Sequence, residues 1–191
     1  MIKAKAIPNF LSQEENDKIL NLLKNIDEWE RDSGPQSFWD NRSLSDKNIY
    51  HNHDKEIGKL IFEVRNRIGQ KIKEVYGIDE VYPDLMSASR WWDGMKQEPH
   101  ADDMTNAEGP GHDWFAHRHF GAIIYLNEDY EGGHTFYPNY NFEIIPKSGT
   151  LAIHPGDPDH LHGVTEVKGS TRYTLSSFWT KDIQYFDDWS L

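Results

Sequence analysis

Glu98-Pro99-His100-Ala101-Asp102 sets an imidazole and a carboxylate two positions apart, and far downstream the chain carries His162 and then Arg172. Successive side chains of a strand point to opposite faces, so residues 100 and 102 of a strand project together while Ala101 points away. Two imidazoles and one carboxylate are the ligand set of a facial triad, which holds Fe(II) on one side and leaves positions open for a co-substrate and oxygen. A third ligand from a distant strand closes such a site. The cation at Arg172 suits the far end of a dicarboxylate co-substrate. Taken alone, the first pair has a plainer alternative: an exposed His and Asp on a loop beside Pro99.

The third ligand has competitors. Ten histidines are present, with a cluster of His154, His160 and His162. His160 and His162 lie two apart and could share a face. His154 follows the apolar Leu151-Ala152-Ile153, where it either lines a site or ends a strand. On the residues alone the choice within this cluster stays open.

Around these residues the text is that of short strands separated by turns. The runs fall at about 85–92, 98–102, 115–126, 134–137, 142–145, 150–154, 163–166 and 172–180. Strands at this spacing suggest a sandwich or jelly roll. The N-terminal part differs. Ser12-Gln13-Glu14-Glu15 is a capping box with Leu11 placed as a staple, and Ile19, Leu22, Leu23 and Ile26 follow at helical spacing. A second helix is marked by Ile57, Leu60, Ile61, Val64, Ile68, Ile72 and Val75, ended by Gly77. Residues 31–54 are polar and mixed and form a long loop, with a short strand expected around 37–39. Helices first and strands after place the helices on one face of the sheets.

The bulk numbers narrow the classes. At 191 residues the chain fits one domain, 1–191, with helical support over about 8–78 and a β core over about 81–181. Seven Trp and a 13% aromatic share suit a β-rich core with a roomy pocket. The absence of cysteine excludes a disulfide framework and a zinc–thiolate site. A net charge of −12 opposes attraction to nucleic acid, which depends on Lys and Arg neutralising phosphates. The start lacks an apolar signal-peptide core and no run reaches membrane-spanning length, so a cytoplasmic protein without a membrane partner is expected.

Several stretches carry a family resemblance. Ser89-Arg90-Trp91-Trp92-Asp93-Gly94 precedes the His-x-Asp, and Ala122-Ile123-Ile124-Tyr125-Leu126-Asn127 follows it. Then come Glu131-Gly132-Gly133-His134-Thr135-Phe136-Tyr137-Pro138 and Pro146-Lys147-Ser148-Gly149-Thr150-Leu151. The last is His162-Gly163-Val164-Thr165-Glu166-Val167-Lys168-Gly169-Ser170-Thr171-Arg172-Tyr173. In this order, from about residue 85 to Trp179, the chain resembles the 2-oxoglutarate- and Fe(II)-dependent dioxygenases of the prolyl-4-hydroxylase-like branch. His134 departs from the acidic residue that the family often has before Thr135.

The resemblance implies a double-stranded β-helix (a cupin-like jelly roll) with N-terminal helices packed on it. It implies His100, Asp102 and His162 as Fe(II) ligands, the last because it begins the family's His-x-Val…Gly-x-x-Arg stretch. Arg172 and Tyr125 would bind the distal carboxylate of 2-oxoglutarate, O2 would be the second co-substrate, and ascorbate is a candidate auxiliary. Thr174 lies on the Arg172 face by strand alternation and could add a hydroxyl. An aspartate as second ligand implies a hydroxylating centre. The plain alternatives are a surface ion pair for Arg172 and a core aromatic for Tyr125.

Arg90, Trp92, Trp114 and Trp179 are candidate borders of the substrate cavity, and 103–119 a candidate lid carrying His112, His117 and His119. The substrate implied is a prolyl residue in a peptide or protein. A free amino acid or other small molecule is the alternative, as is a non-catalytic cupin-like metal binder. Monomer and dimer are both open.

Overall fold

In the computed structural model, which describes residues 1–31, 38–104 and 112–189, two antiparallel sheets face each other and helices cover the outer face of the larger. In chain order the strands are β1 (Lys5–Ile7), β2 (Ser43–Ser45), β3 (Tyr82–Trp91), β4 (Gln97–His100), β5 (Phe120–Tyr125) and β6 (Glu131–Gly132). They continue with β7 (Thr135–Tyr137), β8 (Phe142–Ile144), β9 (Thr150–Pro155), β10 (His162–Val164), β11 (Val167–Lys168) and β12 (Arg172–Thr180). The larger sheet runs β1-β9-β5-β12-β3-β2, the smaller β4-β10-β7-β8, and β11-β6 form a two-stranded ribbon. This is the double-stranded β-helix expected from the sequence.

The helices form where capping and periodicity require them. Helix α1 spans Gln13–Lys24. Its Ser12 Oγ accepts from Glu15 N at 3.2 Å, while the Glu15 carboxylate accepts from Ser12 N at 2.8 Å. A short α2 (Asp46–Asn48) leads through a π turn, Ile49–His53, into α3 (Lys55–Tyr76). Gly77 closes α3 at φ 64°, a left-handed value that costs glycine little.

Period-two alternation in the large sheet sorts side chains between two layers. Ala122, Ile124, Leu151, Ile153, Leu175 and Trp179 join Ile19, Leu23, Ile61, Val64, Ile68 and Ile72 of the helices in one buried core. Truncating one of these large aliphatic residues costs about 2–5 kcal/mol. The alternate positions face the smaller sheet, where Tyr125 and Ala152 pack with Tyr137 and Ile144. The site therefore lies between the sheets and the helices lie behind it.

Some expected boundaries differ. Ser37 lies outside the described residues, Phe38 and Trp39 are in a turn, and the edge strand of this region is Ser43–Ser45. The expected 115–126 strand begins only at Phe120, after a 3-10 turn at His112–Phe115. Lys5–Ile7, Glu131–Gly132 and Val167–Lys168 are strands too short to show alternation. Among the described residues no helix is long and apolar enough to cross a membrane.

Candidate metal centre and co-substrate pocket

β4 and β10 pair antiparallel with His100 opposite His162, so two residues remote in sequence become register partners. Their ring centroids lie 4.6 Å apart. His162 Nε2 stands 3.4 Å and His100 Nε2 3.9 Å from the same oxygen, Asp102 Oδ1. The three donor atoms all fall within 4.8 Å of one another. Two ligands each about 2.1 Å from a shared octahedral ion lie about 3 Å apart, so modest tightening suffices.

The tautomers are fixed by the backbone. His100 Nδ1 lies 3.1 Å from Glu98 O, and His162 Nδ1 lies 3.2 Å from His160 O. A carbonyl only accepts, so each Nδ1 carries a hydrogen and each Nε2 is left as the atom that can ligate a metal beside Asp102. These residues fit an Fe(II) ion.

Asp102 does not reach this position as part of a strand. β4 stops at His100, and Asp102 sits in the following turn, where Met104 adopts φ 54° and donates its N–H to Ala101 O. The expected strand over 98–102 is therefore cut short, although His100 and Asp102 still project to one place. Instead the carboxylate is held by a residue that the sequence left undecided. His154 Nε2 lies 3.0 Å from Asp102 Oδ2, and its Nδ1 lies 3.0 Å from the Tyr137 hydroxyl.

Burial alone would raise the Asp102 pKa. His162 and His154 outweigh it and hold the carboxyl well below the usual range. Burial, reinforced by His162, pushes His154 down to about 4. Burial likewise lowers His100, whereas at His162 it is outweighed by Asp102 and the pKa rises.

Beyond the triad the same cavity runs between the sheets to Arg172, past Trp39, Trp91, Val164 and Ser176. Arg172 begins β12, and Asn127 holds the backbone on both sides of it. Asn127 Nδ2 donates to Thr171 O at 2.8 Å, and Oδ1 accepts from Tyr173 N at 2.7 Å. Arg172 is 1% exposed, forms no ion pair among the described residues, and leaves Nε and Nη2 without hydrogen-bond partners. Thr174 Oγ1 and Trp91 Nε1 nearby are likewise buried without partners among the described residues.

Buried polar groups are normally satisfied, and a guanidinium without a counterion is costly. The orphaned donors therefore suit a carboxylate ligand. Tyr125 is Thr174's register partner, and its ring centroid lies 5.4 Å from Arg172 Cζ. Its hydroxyl shares a 2.6 Å bond with Thr135 Oγ1 across the sheets and keeps capacity for another. A second cation, Arg42, packs 4.4 Å from the Trp91 centroid, and burial with Arg172 nearby lowers its pKa to about 10.

Other histidines and aromatics lie elsewhere. His160 is tied to Asp157 at 2.7 Å and accepts from the Lys3 N–H at 3.3 Å. His134 pairs with Glu143, His117 stacks on Tyr185, and His119 accepts from Lys181 N. Of the expected cavity border, Trp179 is in the helix-side core, Arg90 bonds Asn41, and Trp92 and Trp114 are exposed. The tryptophans that line the cavity are Trp39 and Trp91. Of the expected lid, residues 105–111 lie outside the described residues.

The family model described as the 2OG-Fe(II) oxygenase superfamily matches residues 86–180, which span the His-x-Asp, His162 and Arg172. Residues 86–180 are a domain of the 2OG-Fe(II) oxygenase superfamily. Two solved structures resemble this chain along most of its length. The viral collagen prolyl hydroxylase from Paramecium Bursaria Chlorella virus-1, as its 2OG complex, is 20% identical, with TM-score 0.64 over 93% of this chain and 95% of its own. A Trichoplax adhaerens prolyl hydroxylase in complex with a hypoxia inducible factor peptide is 16% identical, with TM-score 0.68 over 100% and 89%. At such identities the likeness is one of fold.

Among curated proteins, human procollagen-lysine,2-oxoglutarate 5-dioxygenase 2 is 40% identical over 58 residues, 30% of this chain. The match covers 8% of that relative's length.

Proposed function

We propose that the protein is a 2-oxoglutarate- and Fe(II)-dependent dioxygenase that hydroxylates an unactivated C–H of an amino-acid side chain carried in a peptide, proline first. We assign His100, Asp102 and His162 as the metal ligands and Arg172, with Tyr125 and Thr174, as the distal-carboxylate anchor. The carrying observation is one cavity with three convergent donors at one part and, at another, a buried guanidinium that forms no ion pair among the described residues. A metal-storing or sugar-binding cupin has no need for that second feature.

Bound together, Fe(II), 2-oxoglutarate and O2 supply the oxidation that yields succinate, CO2 and one hydroxyl on the substrate. The chain's own residues supply position. His100 and His162 present Nε2 because their Nδ1–H groups are spent on backbone carbonyls. Arg172 offers Nε and Nη2 as a fork that a carboxylate can meet with two parallel bonds. Thr174 adds a hydroxyl, and Tyr125 completes the end wall. The buried rings of Trp91 and Tyr125 exclude water from this end, which strengthens each charged contact. His100 is half-buried, so the metal end is the side on which substrate can enter. The helices and the strands act as one domain in this reading.

Support for a peptide substrate comes from the fold shared with two prolyl hydroxylases. The local identity to a procollagen-lysine dioxygenase favours peptidyl lysine as a second reading. The test incubates the protein with Fe(II), 2-oxoglutarate, ascorbate and air against proline peptides, lysine peptides and the free amino acids. We expect the mass gain of one oxygen on a peptide. A gain confined to free amino acids overturns the peptide assignment, and none on any of them overturns amino-acid hydroxylation.

A further inference from the structure

Resting on that reading of the metal ligands, we infer that His154 is a positioning residue that reserves one oxygen of Asp102 for the metal, and that Tyr137 sets the orientation in which it does so. The two oxygens of Asp102 have different neighbours. Oδ1 faces the imidazoles of His162 and His100. Oδ2 faces away, 3.0 Å from His154 Nε2. A carboxylate accepts and does not donate, so Nε2 carries the hydrogen in this contact. In the neutral ring Nδ1 is then an acceptor, and the group 3.0 Å from it is the Tyr137 hydroxyl, which donates. The order Tyr137 O–H to His154, then His154 N–H to Asp102, is the only one that satisfies all three groups.

Each member is buried: Tyr137 0%, His154 1% and Asp102 5% exposed. Their positions come from three places, with Tyr137 on β7, His154 on β9 and Asp102 after β4. The backbone makes room for the contact at Gly121, register partner of His154 on β5. A Cβ there would lie 2.1 Å from Asp102 Oδ2 and 2.4 Å from His154 Nε2. An aspartate in a turn, with no strand to aim it, needs such a constraint. Without it the carboxylate could rotate, present both oxygens to the ion and occupy a position that the co-substrate or oxygen needs. Groups that orient metal ligands in this way typically contribute 10–100-fold in metal affinity.

The test is calorimetric titration of the metal-stripped 191-residue protein with Mn(II), which reads affinity and stoichiometry separately. His154→Phe keeps a ring and removes the donor, and we expect about 10–100-fold weaker binding at unchanged stoichiometry. His154→Gln returns an N–H near the Nε2 position and should recover most of the loss. Tyr137→Phe deletes one hydroxyl and should weaken binding measurably, but less than His154→Phe.

Wild-type affinity in His154→Phe, at full or reduced stoichiometry, would mean that the ring only packs, and overturns the inference. Equal losses in the Gln and Phe variants overturn the hydrogen-bond assignment. If His154→Phe does not fold, Tyr137→Phe decides, and unchanged affinity there is contrary. Asp102→Ala binding Mn(II) like wild type would instead remove the ligand reading itself.

Discussion

His162 is the register partner of His100 across the β4–β10 pair, and both rings direct Nε2 toward Asp102 Oδ1. His160, two residues earlier, spends its ring on Asp157 and the Lys3 N–H instead. This distinguishes two histidines that the spacing alone leaves equivalent. Alanine at His100, Asp102 or His162 is therefore expected to abolish tight metal binding, while His160→Ala retains it. Metal content and Mn(II) affinity of the four variants check this. Loss in His160→Ala with retention in His162→Ala would reverse the assignment.

Arg172→Ala should raise the 2-oxoglutarate dissociation constant far more than the metal's. Removing one partner of a buried charge pair costs on the order of 3–5 kcal/mol. Arg172→Lys should recover part of this, because the charge survives and the fork does not. Direct titration of 2-oxoglutarate into the Mn(II)-loaded variants measures both effects. Unchanged affinity in Arg172→Ala would place the distal carboxylate elsewhere.

Gly121→Ala tests the crowding around Asp102. The added methyl would overlap both Asp102 Oδ2 and His154 Nε2, so those side chains must move. Overpacking of this kind costs about 1–3 kcal/mol of stability. We expect a lower melting temperature together with weakened metal binding in the protein that remains folded. A melting shift without any change in metal affinity would show that Asp102 moves without consequence for the site.

A buried charge network sets a pH dependence away from the site. Asp46 lies 3.7 Å from Arg65, which also pairs with Asp187 at 3.2 Å and bonds Trp189 O at 3.0 Å. Lys47 pairs with Asp187 as well. Burial raises the Asp46 pKa from 3.8 to about 6, against the pull of Arg65. Folding therefore strengthens proton binding here. The resulting stabilisation is full below the unfolded pKa and is lost as pH rises through 6. Between pH 4 and pH 7 the loss is about 2 kcal/mol, from the linkage of pKa to stability. Urea unfolding of wild type and Asp46→Asn across this range should differ by that slope. Parallel pH profiles would contradict the assignment.

The larger architecture was legible because it rests on periodicity and capping. The capping box at Ser12, the apolar stripe of α3 and the stop at Gly77 are local signals, and they led to the observed helices. Arg172–Thr180 matched its expected strand at both ends, although its pairing with β3 shifts register between Phe178 and Trp179. What failed depended on partners distant in sequence. Ser43–Ser45 is a strand only because β3 offers an edge to it, and Lys5–Ile7 because β9 does.

The site shows the same division. Residue types and spacing drew attention to His100, Asp102, His162 and Arg172. The turn at Asp102 was hidden because a two-residue spacing is equally satisfied by a strand. His154 was left between site and strand end because its role depends on a carboxylate 52 positions away. Asn127's grip on both neighbours of Arg172 left no sequence signal beyond its place in a motif. The choice of Trp39 and Trp91 over the other tryptophans required the packed sheets.

The central claim is that this cavity binds Fe(II) and 2-oxoglutarate together and turns the pair over. The most direct measurement is succinate release from 2-oxoglutarate in air, followed with and without Fe(II) in wild type, Asp102→Ala and Arg172→Ala. The account predicts Fe(II)-dependent succinate from wild type, none above background from Asp102→Ala, and a strongly raised 2-oxoglutarate requirement in Arg172→Ala. Succinate release equal in all three, or none from metal-loaded wild type in the presence of hydroxylatable peptide, would contradict it.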